Sequence, residues 1–211
     1  MIDLTIKTIC MIRHGETDWN AAGRIQGLED TDLNQRGREQ ARKTGLYLQQ
    51  WPWDAIVTSP LKRAKDTANI IARLNALGSV QAMDHFLERA YGACSGMTRQ
   101  ERNFHFPDGV IPGQEPLVAL QQRTMQGLEV LRQMPDKHNI LLIAHGGVIN
   151  AILNVISHGK IGTGITSLHN AGITQIHYAH NRWDIVFYNS TQHLMPAHSS
   201  YQHTNRVGLT A

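Results

Sequence analysis

Cysteine is scarce in this 211-residue chain: Cys10 and Cys94 alone cannot build a disulfide framework or a four-cysteine zinc site. A reducing compartment suits that scarcity. No apolar run approaches the length that spans a bilayer, and the amino terminus lacks a charged region followed by an apolar signal segment. A membrane partner is thereby excluded and a cytoplasmic location expected. Charge of one sign is not in large excess either, since 20 Lys and Arg against 17 Asp and Glu leave a net charge of +3. The sequence pI near 9.0 invites a nucleic-acid partner, but the basic residues are dispersed and form no stripe. Nucleic-acid binding is excluded on that ground. Low-complexity runs and internal repeats are also missing, and a hydrophobic fraction of 41% with 18% charged residues describes an ordinary globular chain.

What is present has a βαβ rhythm. Ile6–Ile12 reads as a buried strand, and a polar loop through Asn34 leads to an amphipathic helix from about Gly37 to Gln50, ended by Trp51-Pro52-Trp53. Asp54–Thr58 is a second strand, and Ser59-Pro60 opens a helix with Leu61, Ala64, Thr67, Ile71 and Leu74 on one face. A short strand at about 80–83 precedes a long irregular stretch, 88–116, whose four glycines and three prolines mark it as a lid. A helix then ends near Pro135. Asn139–Ala144 is the strongest strand signal, a continuous apolar run expected of a parallel strand covered on both faces. Strands at about 172–178 and 184–188 flank a turn and predict an antiparallel hairpin. The expected fold is three-layer α/β/α with a mainly parallel central sheet and one antiparallel edge strand. One domain is expected over residues 1–194, with 195–211 as a flexible tail.

Chemistry gathers at the ends of these elements. His14, between Arg13 and Gly15, follows the first strand, where open α/β sheets bind ligands. An imidazole nitrogen can attack phosphorus and form a covalent phosphohistidine, and an arginine fork suits phosphate oxygens. His145 sits at a strand-to-helix turn before Gly146-Gly147, a position that favours anions. Alone, His145 could equally be a strand-end histidine bonded to backbone, and Arg63 a solvated cation on a helix face. His193, His198 and His203 recur every five residues, a spacing unlike metal-ligand patterns, so no metal is assigned.

Four islands, Arg13-His14-Gly15, Ser59–Ala64, Leu87–Gly92 and Ala144–Gly147, together resemble the histidine phosphatase superfamily, the phosphoglycerate-mutase-like proteins. The resemblance covers nearly the whole chain. It implies a phosphoric monoester hydrolase in which His14 is the nucleophile, Arg13 and Arg63 clamp the phosphoryl oxygens, His145 donates to them, and Glu88 is the proton donor. It also puts Asn20, Gln26, Gly27 and Tyr91 among the substrate-binding residues. Two arginines and a second histidine can neutralise the transferring group, so neither metal nor cofactor is required. On chemical grounds His14 should be neutral and His145 charged, while Glu88 alternates between acid and base.

A phosphatase acting on a small phosphorylated metabolite is favoured over a cofactor-dependent mutase, because the family's basic insertion between the acid and the second histidine is missing here. Arg99 keeps the mutase alternative in view. Arg24, Arg89, Arg99 and Arg102 line an entrance or are simply solvated. A catalytically silent phospho-ligand-binding module is the third reading, disfavoured by the retention of His14, Glu88 and His145 together. Departures from the family pattern, Ala93-Cys94 and Gln114-Glu115-Pro116, leave the substrate open. No interface pattern is visible, so a homodimer stays open too.

Overall fold

Alternation along two central strands builds the molecule's layers. In the computed structural model, which describes residues 6–195, β1 (Lys7–Arg13) sends Ile9 and Met11 to one face and Cys10 and Ile12 to the other. The elements that follow are α1 (Asp18–Ala21), α2 (Gln35–Leu48), β2 (Ala55–Thr58), α3 (Lys62–Leu74), β3 (Gln81–Ala82), α4 (Arg99–His105), α5 (Leu117–Gln133), β4 (Asn139–Ala144), α6 (Gly146–Ile156), β5 (Ile173–Ala179) and β6 (Arg182–Ser190). In β4, Ile140, Leu142 and Ala144 join Ile9 and Met11 against Leu120, Leu128 and Ile152 of α5 and α6. Leu141 and Ile143 join Cys10 and Ile12 against Leu48, Ala68 and Ile71 of α2 and α3. Each central strand is therefore covered on both faces, which is why its sequence reads as an unbroken apolar run.

The sheet order is β3-β2-β4-β1-β5-β6, with parallel pairs from β3 to β1 and antiparallel pairs from β1 through β5 to β6. The expected fold class and hairpin are borne out. One detail moves: the reversed strand is β5, one place in from the edge, because β6 turns back and takes the edge itself. The carboxyl ends of β1, β2 and β4 lie side by side, so the residues that follow them converge on one rim.

The irregular stretch expected over 88–116 contains order that was not foreseen. A 3₁₀ turn spans Gly92–Cys94 and the helix α4 follows. Thr98 caps α4 by accepting from the Glu101 N–H, and the Glu101 carboxylate accepts from the Thr98 N–H at 2.7 Å. That reciprocal box was legible as Thr98-x-x-Glu101, but glycine and proline density outweighed it. A similar box between Thr17 and Asn20 starts the one-turn α1 inside the loop before α2.

The expected tail at 195–211, with His198 and His203, lies outside the described residues save for Met195. His193, by contrast, is docked. Its Nε2 lies 3.0 Å from the Thr44 hydroxyl of α2 and its ring stacks on Tyr47 with centroids 5.3 Å apart. Burial pushes its pKa down to about 4. A histidine neutral in the fold and titrating near 6.5 when unfolded gives full stability above pH 6.5, lost as pH falls through the folded pKa. The loss reaches at most about 3 kcal/mol. Urea unfolding at pH 7 and pH 4 should show a smaller difference between the two pH values for His193→Gln than for the parent. Equal pH dependence in the two proteins would return His193 to solvent.

Candidate active site

The backbone fixes His14 before its side chain is considered. Its N–H donates to the Ala144 carbonyl at 2.9 Å, extending the β1–β4 ladder one residue past the strand. Next to it, Gly15 donates to the Thr67 hydroxyl at 3.0 Å, and that hydroxyl donates to the Arg63 carbonyl at 2.7 Å. A methyl on Gly15 would strike the Gly37 carbonyl, and one on Gly37 would strike the Glu16 backbone. The His14 loop and the start of α2 thus pack backbone against backbone.

The imidazole of His14 is buried, and its Nδ1 lies 2.7 Å from the Gly15 carbonyl. A carbonyl can only accept, so Nδ1 carries the proton and Nε2 keeps its lone pair. Arg63 Nε approaches that Nε2 at 3.3 Å. Burial first, then the charges of Arg13 and Arg63, holds the His14 pKa well below the usual histidine range. Only the backbone bond to Gly15 opposes them. A neutral imidazole with a defined unprotonated nitrogen, here accepting from Arg63 Nε, is the form that can attack phosphorus.

Arg63 is 1% exposed, which removes the solvated-cation alternative. Its Nη1 donates to the Glu29 carbonyl at 2.6 Å and its Nη2 to the Gly27 carbonyl at 2.8 Å. These bonds orient the fork against the loop that carries Gln26 and Gly27. Arg13 donates through Nη1 to the Leu168 carbonyl at 2.5 Å, while its Nε is buried with no partner among the described residues. An unspent buried donor is costly unless a ligand takes it up.

His145 shows the same incompleteness. Its Nε2 lies 2.7 Å from the Ser59 hydroxyl, its Nδ1 is buried without a partner among the described residues, and its ring centroid is 5.2 Å from that of His14. The pocket's own groups work against the charge expected on His145. Burial first, then Arg63, His14 and Arg13, pushes its pKa well below the usual range, so the protein alone favours two neutral imidazoles. Sequence shows a histidine near arginines; it does not show that all of them share one desolvated pocket.

Glu88 reaches this rim from the segment before α4. Its Oε1 accepts from the Arg89 N–H at 2.9 Å and its Oε2 from the Gly147 N–H at 3.1 Å, beside His145. A side chain at Gly147 would run into the Glu88 carboxylate and crowd the Tyr91 hydroxyl, so any larger residue there would displace that carboxylate. Burial, then the Glu88 charge, pushes the Tyr91 phenol up and keeps it protonated. The other carried-over residues are more peripheral. Asn20 Oδ1 accepts from the Thr17 N–H and from Asn170 Nδ2 at 3.0 Å, and Gln26 accepts from the Thr31 hydroxyl. Gly27 serves the site through the carbonyl that holds Arg63.

Three contributors were missed. In the sequence Ser59 reads as a motif and helix-opening residue, Thr67 as a helix-face residue, and Asn170 as an ordinary loop position. Asn170 Nδ2 donates to the His14 carbonyl at 3.1 Å and to Asn20, and no local signal marks it. Among the described residues, no three His, Cys, Asp or Glu side chains gather in a metal-binding group.

The sequence profile of the histidine phosphatase superfamily, branch 1, matches residues 9–191. The chain belongs to that superfamily. Among its histidine phosphatase relatives, the uncharacterized phosphatase PhoE of Bacillus subtilis is 45% identical over 88% of this chain and 96% of its own length. The probable phosphoglycerate mutase GpmB of Salmonella choleraesuis is 30% identical over 83% of this chain and 86% of its own. A solved mycobacterial glucosyl-3-phosphoglycerate phosphatase in complex with VO3 superposes with a TM-score of 0.78 at 26% identity. It covers 88% of this chain and 100% of its own. The expected family, fold and phosphatase class are borne out. As in any histidine phosphatase, fold alone leaves the substrate undetermined.

Proposed function

We propose that this chain hydrolyses small phosphomonoesters in two steps through a phosphohistidine on His14. The observation that carries the reading is the unprotonated Nε2 of His14, facing Arg63 and accompanied by two unspent buried nitrogens, Arg13 Nε and His145 Nδ1. In the first step the Nε2 lone pair attacks phosphorus, the bond to the ester oxygen breaks, and Glu88 gives that oxygen a proton. Gly15's carbonyl holds the Nδ1 proton throughout, supporting the positive charge that develops on the ring. In the second step Glu88 takes a proton from water as the water oxygen bonds to phosphorus and the N–P bond breaks. Free His14 is restored.

Arg13 and Arg63 are the proposed clamps on the equatorial oxygens. A phosphoryl dianion beside His145 opposes the arginines and raises its pKa, so binding favours uptake of a solvent proton that burial and the arginines otherwise disfavour. Tyr91, Asn20, Gln26 and Gly27 form the substrate-side wall in this reading, and 88–116 its cover. The proposed setting is a cytoplasmic enzyme working without nucleic acid. Among the described residues no helix is long and apolar enough to cross a membrane.

Hydrolysis is favoured over mutase action by what the entrance arginines do. Arg24 donates to the Gly96 carbonyl and pairs with Glu101, and Arg89 donates to the Glu115 carbonyl and to Gln114. Both have protein partners, and Arg99 is exposed. The higher identity to a phosphatase, 45% against 30% to the mutase, points the same way. Incubation with a panel of phosphomonoesters in chelator should release inorganic phosphate without added bisphosphoglycerate. Interconversion of 2- and 3-phosphoglycerate that outpaces phosphate release would overturn the hydrolase reading, and a strict need for a divalent ion would overturn the mechanism.

A further inference from the structure

One guanidinium outside the phosphate pocket spends its donors on the segment that carries Glu88. Arg123 of α5 donates through Nη1 to the carbonyls of His85 at 3.0 Å and Leu87 at 2.7 Å, and through Nη2 to the carbonyl of Glu88 itself at 3.1 Å. Its Nε and Nη2 also meet both carboxylate oxygens of Glu115, at 2.7 and 2.9 Å. Glu115 grips the other flank. Its N–H donates to the Ala90 carbonyl at 2.8 Å, and its carbonyl accepts from Arg89 Nε at 2.8 Å. Gly127, one turn further along α5, has no room for a methyl beside Phe86, so the turn Asp84–Phe86 presses onto the same helix face.

Leu87 and Glu88 lie outside any helix or strand, so no regular ladder fixes their backbone. A bidentate pair with side chains 23% and 17% exposed does what an isolated surface ion pair does not: it gives the guanidinium one orientation. That orientation sets the carbonyl of Glu88, and the N–H groups of Arg89 and Gly147 set its carboxylate.

We propose that Arg123, held by Glu115, is the positioning residue for Glu88, fixing where its carboxyl meets the ester oxygen while making no contact with the phosphoryl group. The inference rests on Glu88 being the general acid. Misplacing a reacting group by an ångström costs about 10²-fold in rate, so loss of the clamp should be read in the proton-transfer step.

The test is rapid-quench measurement of phosphohistidine formation with an alkyl phosphate and with p-nitrophenyl phosphate. The proteins are the parent, Glu88→Gln, Arg123→Met, Arg123→Lys and Glu115→Gln, each also assayed for inhibition by inorganic phosphate. Proton donation matters in proportion to leaving-group basicity, so Glu88→Gln should slow the alkyl substrate far more than the nitrophenyl one. Arg123→Met should show the same split, with the alkyl rate down on the order of 10-fold to 10²-fold and the nitrophenyl rate by less than about threefold. Phosphate inhibition should stay within about twofold of the parent, because Arg13, Arg63 and His145 keep their places and Arg123 is the weakest of the charges acting on His145. Glu115→Gln, which keeps shape and removes charge, should repeat the split in milder form, and Arg123→Lys should recover part of the loss. If Arg123→Met does not fold, Glu115→Gln carries the same comparison. A split in Glu88→Gln without one in the clamp variants, or phosphate binding lost together with activity, overturns the positioning role. No split in Glu88→Gln overturns the acid assignment itself, and the inference with it.

Discussion

His14→Ala is expected to lose turnover by on the order of 10⁴-fold or more, because removing a nucleophile costs more than removing any group that merely stabilises charge. The substitution should leave the fold intact, since the His14 backbone bond to Ala144 and the neighbouring Gly15 bond to Thr67 do not involve the imidazole. Parent enzyme quenched in base during turnover of labelled substrate should carry phosphate on histidine, and the variant none. The same reading predicts the isomer. With Nδ1 bonded to the Gly15 carbonyl, phosphate should be attached at Nε2, which phosphorus NMR of the denatured phosphoprotein distinguishes. Label on Nδ1 would reject the tautomer read from that bond, and an active His14→Ala would reject the nucleophile.

Arg63 carries the second large effect. Arg63→Met removes a preorganised donor from the transferring group and should lower kcat by about 10²- to 10³-fold. It also leaves the Glu29 and Gly27 carbonyls without their donor, at about 1–3 kcal/mol for each one that stays buried. Stability loss alone cannot imitate its pH signature. Arg63 is one of the charges that depress the His14 pKa, so its removal raises that pKa and should move the acid limb of the kcat/KM profile to higher pH. Arg63→Lys keeps a charge without the planar fork and should keep more of the low-pH activity than Arg63→Met. An unshifted acid limb in Arg63→Met would separate Arg63 from the nucleophile.

The strands and the ligands that follow them were legible because the same residues encode both. An apolar run such as Ile140–Ala144 announces a strand buried on two faces, and His145 at its end inherits a position on the rim. Arg63 was legible only as a member of a motif, since its burial depends on the Gly27 and Glu29 carbonyls arriving from a different loop. The downward pull on the His145 pKa was illegible for the same reason: desolvation is a property of the assembled pocket. Asn170 reaches His14 across 156 positions and has no periodic or capping context, so nothing local could reveal it. In α4 the signal existed as Thr98 and Glu101, and was outvoted by composition around it.

Gly15 and Gly37 give the molecule an uneven capacity to change. With no methyl tolerated on either, the nucleophile's loop and the start of α2 have to drift together in evolution or not at all. The Glu88 side has one comparable lock, Gly92 against the Pro112–Gln114 backbone, and is otherwise assembled from side-chain bonds among Arg123, Glu115 and Arg89 that can be redrawn one residue at a time. New substrate ranges in descendants of this chain should therefore arise by rewriting 88–116 around a retained Gly92 while the histidine loop is inherited unchanged. Directed evolution for new phosphomonoesters would concentrate its useful diversity there and waste it around Gly15.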